Sequence, residues 1–207
     1  MSLNFKLSMA FTNQQLDVIA QTNTKVIVAK PTLGAAPNVA WQAFDPLNAN
    51  TLSWQEQYGI YVSTASINSG AKLEKLSSTG IPAASNKLYT LTDSGAISAP
   101  ASGGEPNSFS LLNNYSKQDL MTVGLYQDAT VNGTEIAGNA ISAAGVLLAS
   151  TAVMTPFTTL YVWLQSEIES NTVVTTVTSP MTLLRFGGEI TDISTAYDTK
   201  SGRFLFV

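Results

Sequence analysis

Thr24-Lys25-Val26-Ile27-Val28-Ala29-Lys30-Pro31 is a nearly continuous apolar run, rich in β-branched side chains and closed by proline. β-Branched residues pack well on an extended, pleated backbone. A run that is apolar at both odd and even positions belongs to a central strand covered on both faces. Outward from it, Thr, Val, Ile, Leu and aromatic residues alternate with polar ones, and clusters of Gly, Asn, Asp, Ser and Pro break the pattern about every ten residues. Strands are expected at Lys25–Ala29, Val39–Phe44, Gly59–Ser63, Lys87–Thr92, Met121–Tyr126, Thr159–Gln165, Asn171–Thr178, Met181–Phe186 and Arg203–Val207. The fold class this predicts is mainly β: a single-domain antiparallel β-sandwich over residues 1–207 with one short N-terminal helix.

The helix is expected just before the opening run. Thr12 and Gln15 have capping-box spacing, and Phe11 and Leu16 sit where a hydrophobic staple needs them. Leu16, Ile19 and Ala20 make the apolar stripe, and Asn23 is placed to end the helix in the left-handed region. About nine residues are too few for a membrane anchor, so the helix is read as a lid on the sandwich. Residues 94–107, rich in Gly, Ser, Ala and Pro, are read as a long surface loop, not a linker between domains.

Two internal echoes stand out. Gly59-Ile60-Tyr61 leads into Asn68-Ser69-Gly70, and Gly124-Leu125-Tyr126 leads into Asn132-Gly133. Trp41 and Trp163 each precede an Asn-Thr pair by a similar interval. The order differs between the halves, which fits a pseudo-symmetric sandwich better than a tandem repeat.

Composition narrows the chemistry. The 207 residues contain no cysteine, which removes disulfides, thiolate nucleophiles and cysteine zinc sites. They contain no histidine, the side chain that ordinarily titrates near neutrality, so no group is expected to shuttle a proton there. Ten basic against fourteen acidic residues give a net charge of −4, and only 12% of residues are charged. That leaves no electropositive footprint for nucleic acid and little attraction to anionic lipid. No secretory leader is read in Met1–Phe11, so a cytoplasmic protein, or one released by a non-classical route, is expected. The uncharged stretch Ile136–Ser166 is interrupted by Asn139, Gly145 and Pro156, so it is read as consecutive core strands and not as a transmembrane helix.

Several local motifs have a chemical reading and a plainer one. Leu91-Thr92-Asp93-Ser94-Gly95-Ala96 resembles the catalytic loop of pepsin-like and retroviral aspartic proteases, whose mechanism needs two such loops. No second copy exists, and a hairpin turn is expected. Ser69-Gly70-Ala71-Lys72 has the spacing of the penicillin-recognising enzymes, but Asn68-Ser69-Gly70 reads as a β-turn and not a helix start. Asp128, Asn132 and Glu135 offer oxygens around Gly133 without the acidic ladder of a calcium loop. Glu167 and Glu169 are read as solvated charges. No catalytic residue, metal site or cofactor is expected.

The aromatic residues are the more suggestive set. Trp54 and Tyr58 flank Gln55, Glu56 and Gln57, and Tyr161 and Trp163 share a strand face near Glu167. An exposed Trp or Tyr beside carboxylates and amides stacks on a sugar ring and binds its hydroxyls. The expected ligand-binding residues are therefore Trp54, Glu56, Tyr58, Trp163 and Glu167. The expected function is a non-enzymatic, lectin-like module whose partner is a glycan or cell surface. A pore-forming cytolysin and a self-assembling homo-oligomer are the alternatives.

Overall fold

The computed structural model describes residues 3–31 and 36–207. It is mainly β, with 49% strand, one helix among the described residues holding 4%, and several sheets packed together as a sandwich-like stack. In chain order the elements are β1 (Asn4–Ala10), α1 (Asn13–Gln21), β2 (Thr24–Ala29), β3 (Val39–Ala40), β4 (Gln42–Phe44), β5 (Ala49–Gln55), β6 (Gly59–Ser63), β7 (Ser77–Ser78) and β8 (Lys87–Leu91). They continue with β9 (Phe109–Asn113), β10 (Leu120–Val131), β11 (Thr134–Ala140), β12 (Ala144–Leu147), β13 (Thr151–Met154), β14 (Thr159–Ser166), β15 (Thr172–Val173), β16 (Thr182–Arg185), β17 (Asp192–Asp198) and β18 (Arg203–Phe206). The large sheet runs β18-β17-β1-β5-β10-β6-β7, with β11 and β12 also on β10. The smaller sheets are β16-β14-β2-β4, β13-β9-β8 and the pair β15-β3.

The opening run behaves as its composition requires. β2 lies between β14 and β4, and Val26, Ile27, Val28 and Ala29 are all buried. Alternate residues enter different clusters: Val26 and Val28 join the main core, while Ile27 and Ala29 pack with Trp163. The main core draws side chains from Phe5 at one end of the chain to Phe204 at the other. Helix α1 has its capping box, with Thr12 Oγ1 accepting from Gln15 N and Gln15 Oε1 accepting from Thr12 N. Phe11 and Leu16 both pack on the core, and Asn23 adopts φ +49.

Two pairings are parallel, where an all-antiparallel sandwich was expected. β1 runs parallel to β17, and β8 parallel to β9. The second explains the long loop 94–107, because parallel neighbours need a crossover of about a dozen residues or more. The loop lies at the surface and returns along β8 through bridges from Leu91 to Ile97 and from Leu88 to Ala101. The strand expected over Asn171–Thr178 contracts to Thr172–Val173. Beyond it the Gln165 side chain takes the backbone hydrogen bonds, donating to Thr176 O and accepting from Thr178 N. The uncharged Ile136–Ser166 stretch folds into most of β11 and all of β12, β13 and β14, and among the described residues no helix is long and apolar enough to cross a membrane.

The Gly-x-Tyr echo is a pairing. β6 and β10 run antiparallel with Gly59 opposite Tyr126 and Tyr61 opposite Gly124. Each glycine makes room for the tyrosine across from it: a Cβ on Gly59 would fall 2.2 Å from the Tyr126 ring, and one on Gly124 would fall 2.6 Å from Tyr61 and 1.9 Å from Ser142 O. The Tyr61 hydroxyl donates to Ser142 O and the Tyr126 hydroxyl to Thr79 O.

Candidate functional site

β10 is twelve residues long and changes partners midway. On one edge Thr122–Tyr126 pair with β6, and Thr130 and Val131 pair with β5. On the other edge β12 gives way to β11. The register slips between Gln127 and Ala129, leaving Asp128 in a bulge of the kind that re-aims a side chain. The Gln127 side chain spans the fork, donating from Nε2 to Gln55 O at 2.6 Å, while its backbone carbonyl accepts from Trp41 Nε1 at 3.1 Å.

An open groove of about 510 Å³ lies at this fork. β1 contributes Asn4 and Phe5, β5 contributes Ser53, Trp54 and Gln55, and the β10–β11 hairpin contributes Asp128, Thr130, Glu135 and Ile136, with Gln57 and Ile81 completing the wall. The hairpin is closed by Asn132 (φ +49) and Gly133 (φ +83), the left-handed pair that a tight two-residue turn demands. Asn132 is committed there, its Oδ1 accepting from Thr51 N at 2.8 Å. Asp128 Oδ1 accepts from Gly138 N at 2.6 Å. Trp54 is only 4% exposed, yet it lines the groove, and its Nε1 is a buried donor without a partner.

Of the five expected site residues, the structure brings three together. Trp54, Glu56 and Tyr58 gather around the buried Lys30 amine, which is 1% exposed. Its Nζ lies 5.4, 5.6 and 5.1 Å from the ring centroids of Trp41, Trp54 and Tyr58, and 3.6 Å from Glu56 Oε2. Tyr58 donates its hydroxyl proton to Glu56 Oε1. The expectation that Trp54 and Tyr58 present open faces to solvent is thereby corrected. Trp54 alternates inward on β5 and stacks among Phe5, Trp41 and Phe186, and Tyr58 is 5% exposed against Phe109.

The other two residues lie elsewhere. Trp163 is fully buried in the separate cluster with Ile27 and Ala29, where Tyr161 packs beside it and Gln165 Oε1 accepts its indole proton at 2.8 Å. Glu167 is exposed after β14 at φ +61, and exposed Glu169 follows beyond buried Ile168.

Lys30 was not singled out from the sequence. Burial pushes its amine down to about 8, against a partial upward pull from the Glu56 carboxylate. The expectation that nothing titrates near neutrality is corrected at this one residue. The legible signal was a charge directly following the apolar residues Val26, Ile27, Val28 and Ala29, all of which are buried.

The segments around Asp93 and Ser69-Gly70 are turns. Asp93 is an exposed turn residue whose carboxylate accepts from Ser116 N and Oγ, and those bonds hold it below the usual carboxylate range. Gly95 adopts φ +85 with its N–H donating to Thr92 O. Ala71 N donates to Asn68 O across the Ser69-Gly70 turn.

No known protein family matches this chain, and neither the curated proteins nor the solved structures include a significant match.

Proposed function

We propose that the chain is a carbohydrate-binding protein whose site is the groove at the fork of β10. The observation that carries this reading is the lining. Amides (Asn4, Gln55, Gln57), carboxylates (Asp128, Glu135) and hydroxyls (Ser53, Thr130) surround a small apolar patch of Ile81, Ile136 and Ala137. Hydroxyl-rich rings with one apolar face are bound by this mixture, and the volume falls in the range of about 300–1,000 Å³ usual for small-molecule sites. Of the residues expected from the sequence, Trp54 alone lines this groove.

Glycan-array screening of the full chain, followed by titration monitored through tryptophan fluorescence, tests the proposal. Binding that is weakened about tenfold or more by Gln57→Ala or Glu135→Ala is the expected result. Silence across neutral, acidic and amino sugars removes the reading.

Self-assembly has a second observation of its own. β18 closes one end of the large sheet, and its Leu205 and Phe206 are 48% and 67% exposed. Phe204 N on its outer edge donates to Thr182 Oγ1, but an end strand bearing exposed apolar side chains beyond that point pairs readily with another copy. Light scattering across protein concentration separates the two readings: assembly abolished by Phe206→Asp supports this one, and a strictly monomeric chain ends it.

A further inference from the structure

We infer that the groove selects saccharides carrying a free amine, of the deacetylated hexosamine type, over neutral or acidic sugars. The inference rests on the carbohydrate reading and names its ligand class.

Among the described residues, the two ionisable side chains lining the groove are both acids, Asp128 and Glu135, one on each arm of the β10–β11 hairpin, and no lysine or arginine lines it. They are not equivalent. Asp128 sits at the bulge, is held by Gly138 N, and feels the half-buried Lys75 amine, which rests 3.4 Å from the Tyr126 ring centroid. Part of the Asp128 charge is therefore answered from within the protein. Glu135 is exposed and, among the described residues, forms neither of the ion pairs, so its charge is available to a ligand. A carboxylate in that position attracts an ammonium and repels a uronate. The Asn4 and Gln55 amides and the Ser53 and Thr130 hydroxyls also line the groove and suit the sugar hydroxyls, which all three classes share. Charge at the hairpin therefore decides between sugars that the polar wall alone treats alike.

Isothermal titration of the full chain in mildly acidic buffer with chelator present tests this. The probes are a glucosamine oligomer, the matching N-acetylglucosamine oligomer, a neutral glucose oligomer and a uronate oligomer. The deacetylated oligomer is expected to bind about tenfold tighter than its acetylated counterpart, the increment of one charge-assisted hydrogen bond. The preference should shrink as salt is raised. Glu135→Gln keeps the shape of an exposed side chain and should remove most of the preference, lowering affinity for the deacetylated oligomer by more than it lowers affinity for the acetylated one. Equal affinity for acetylated and deacetylated oligomers, or a preference that survives Glu135→Gln, overturns the inference and leaves the carbohydrate reading standing. Sugar binding that disappears with chelator also overturns it, since the carboxylates would then be holding a divalent cation. Failure of every saccharide to bind, with and without chelator, removes both.

Discussion

At the scale of single residues the most consequential side chain is Lys30. Its amine would carry a full charge in water, and taking it into an enclosure of three aromatic rings costs solvation that Glu56 only partly returns. In the unfolded chain the amine titrates near its ordinary value of 10.5, and in the folded protein near about 8. Below pH 8 both states hold the proton and the burial penalty is present in full. Between about pH 8 and 10 the unfolded chain holds a proton that the folded protein has shed, so stability rises with pH, by roughly 3 kcal/mol if the whole window were traversed. Burial raises the phenols of Tyr61, Tyr126 and Tyr197, which ionise first in the unfolded chain and reverse the trend above about pH 10. Urea unfolding is accordingly expected to show a midpoint that climbs from neutrality to about pH 10 and then falls. A midpoint flat or declining between pH 8 and 10 would contradict the buried charge. Lys30→Met combined with Glu56→Gln should flatten the climb, because both charges leave together while the new amide oxygen still accepts from the Tyr58 hydroxyl.

At the scale of elements, the helix and the glycine pair make contrasting predictions. Thr12→Ala removes one half of the capping box and should lower stability by about 1 kcal/mol, read as a lower thermal midpoint. Gly124→Ala places a methyl 1.9 Å from a backbone carbonyl that cannot rotate away. That strand must shift, at a cost of about 3 kcal/mol or more by analogy with overpacked cores. Gly133→Ala meets open space but keeps φ +83, so about 1 kcal/mol is expected there. Denaturant titration that ranked Gly133→Ala as the worse of the two would refute the reciprocal Gly–Tyr packing. The helix was legible because a cap is a local device within four residues. The glycine pair was visible only as an echo: residues 65 positions apart, as Gly59 and Gly124 are, declare their relation when strands register, and the echo is pairing between β6 and β10.

At the scale of the whole molecule, the chain crosses between sheets so often that the main core takes residues from both ends. One cooperative unfolding transition is therefore expected, with tryptophan fluorescence and far-ultraviolet circular dichroism coincident; two resolved transitions would divide the chain into separate domains. The candidate site belongs to this scale too. Its lining comes from β1, β5, β10, β11 and two loops, and no window of sequence holds it. Trp54, Glu56 and Tyr58 are neighbours in sequence and meet around Lys30, yet which faces of those rings reach solvent depends on Phe5, Phe186 and Phe109 arriving from elsewhere.

Alternation, β-branching and turn residues determined that this chain builds stacked sheets, where its helix starts and ends, and that chemistry based on histidine or cysteine is excluded, because each depends on a residue's own identity or on neighbours a few positions away. The tertiary structure alone decided the parallel pairings, the burial of Lys30 among the tryptophans and the groove at the fork of β10. Those depend on which distant segments meet, and strand pairing is made by backbone groups that every residue but proline carries alike.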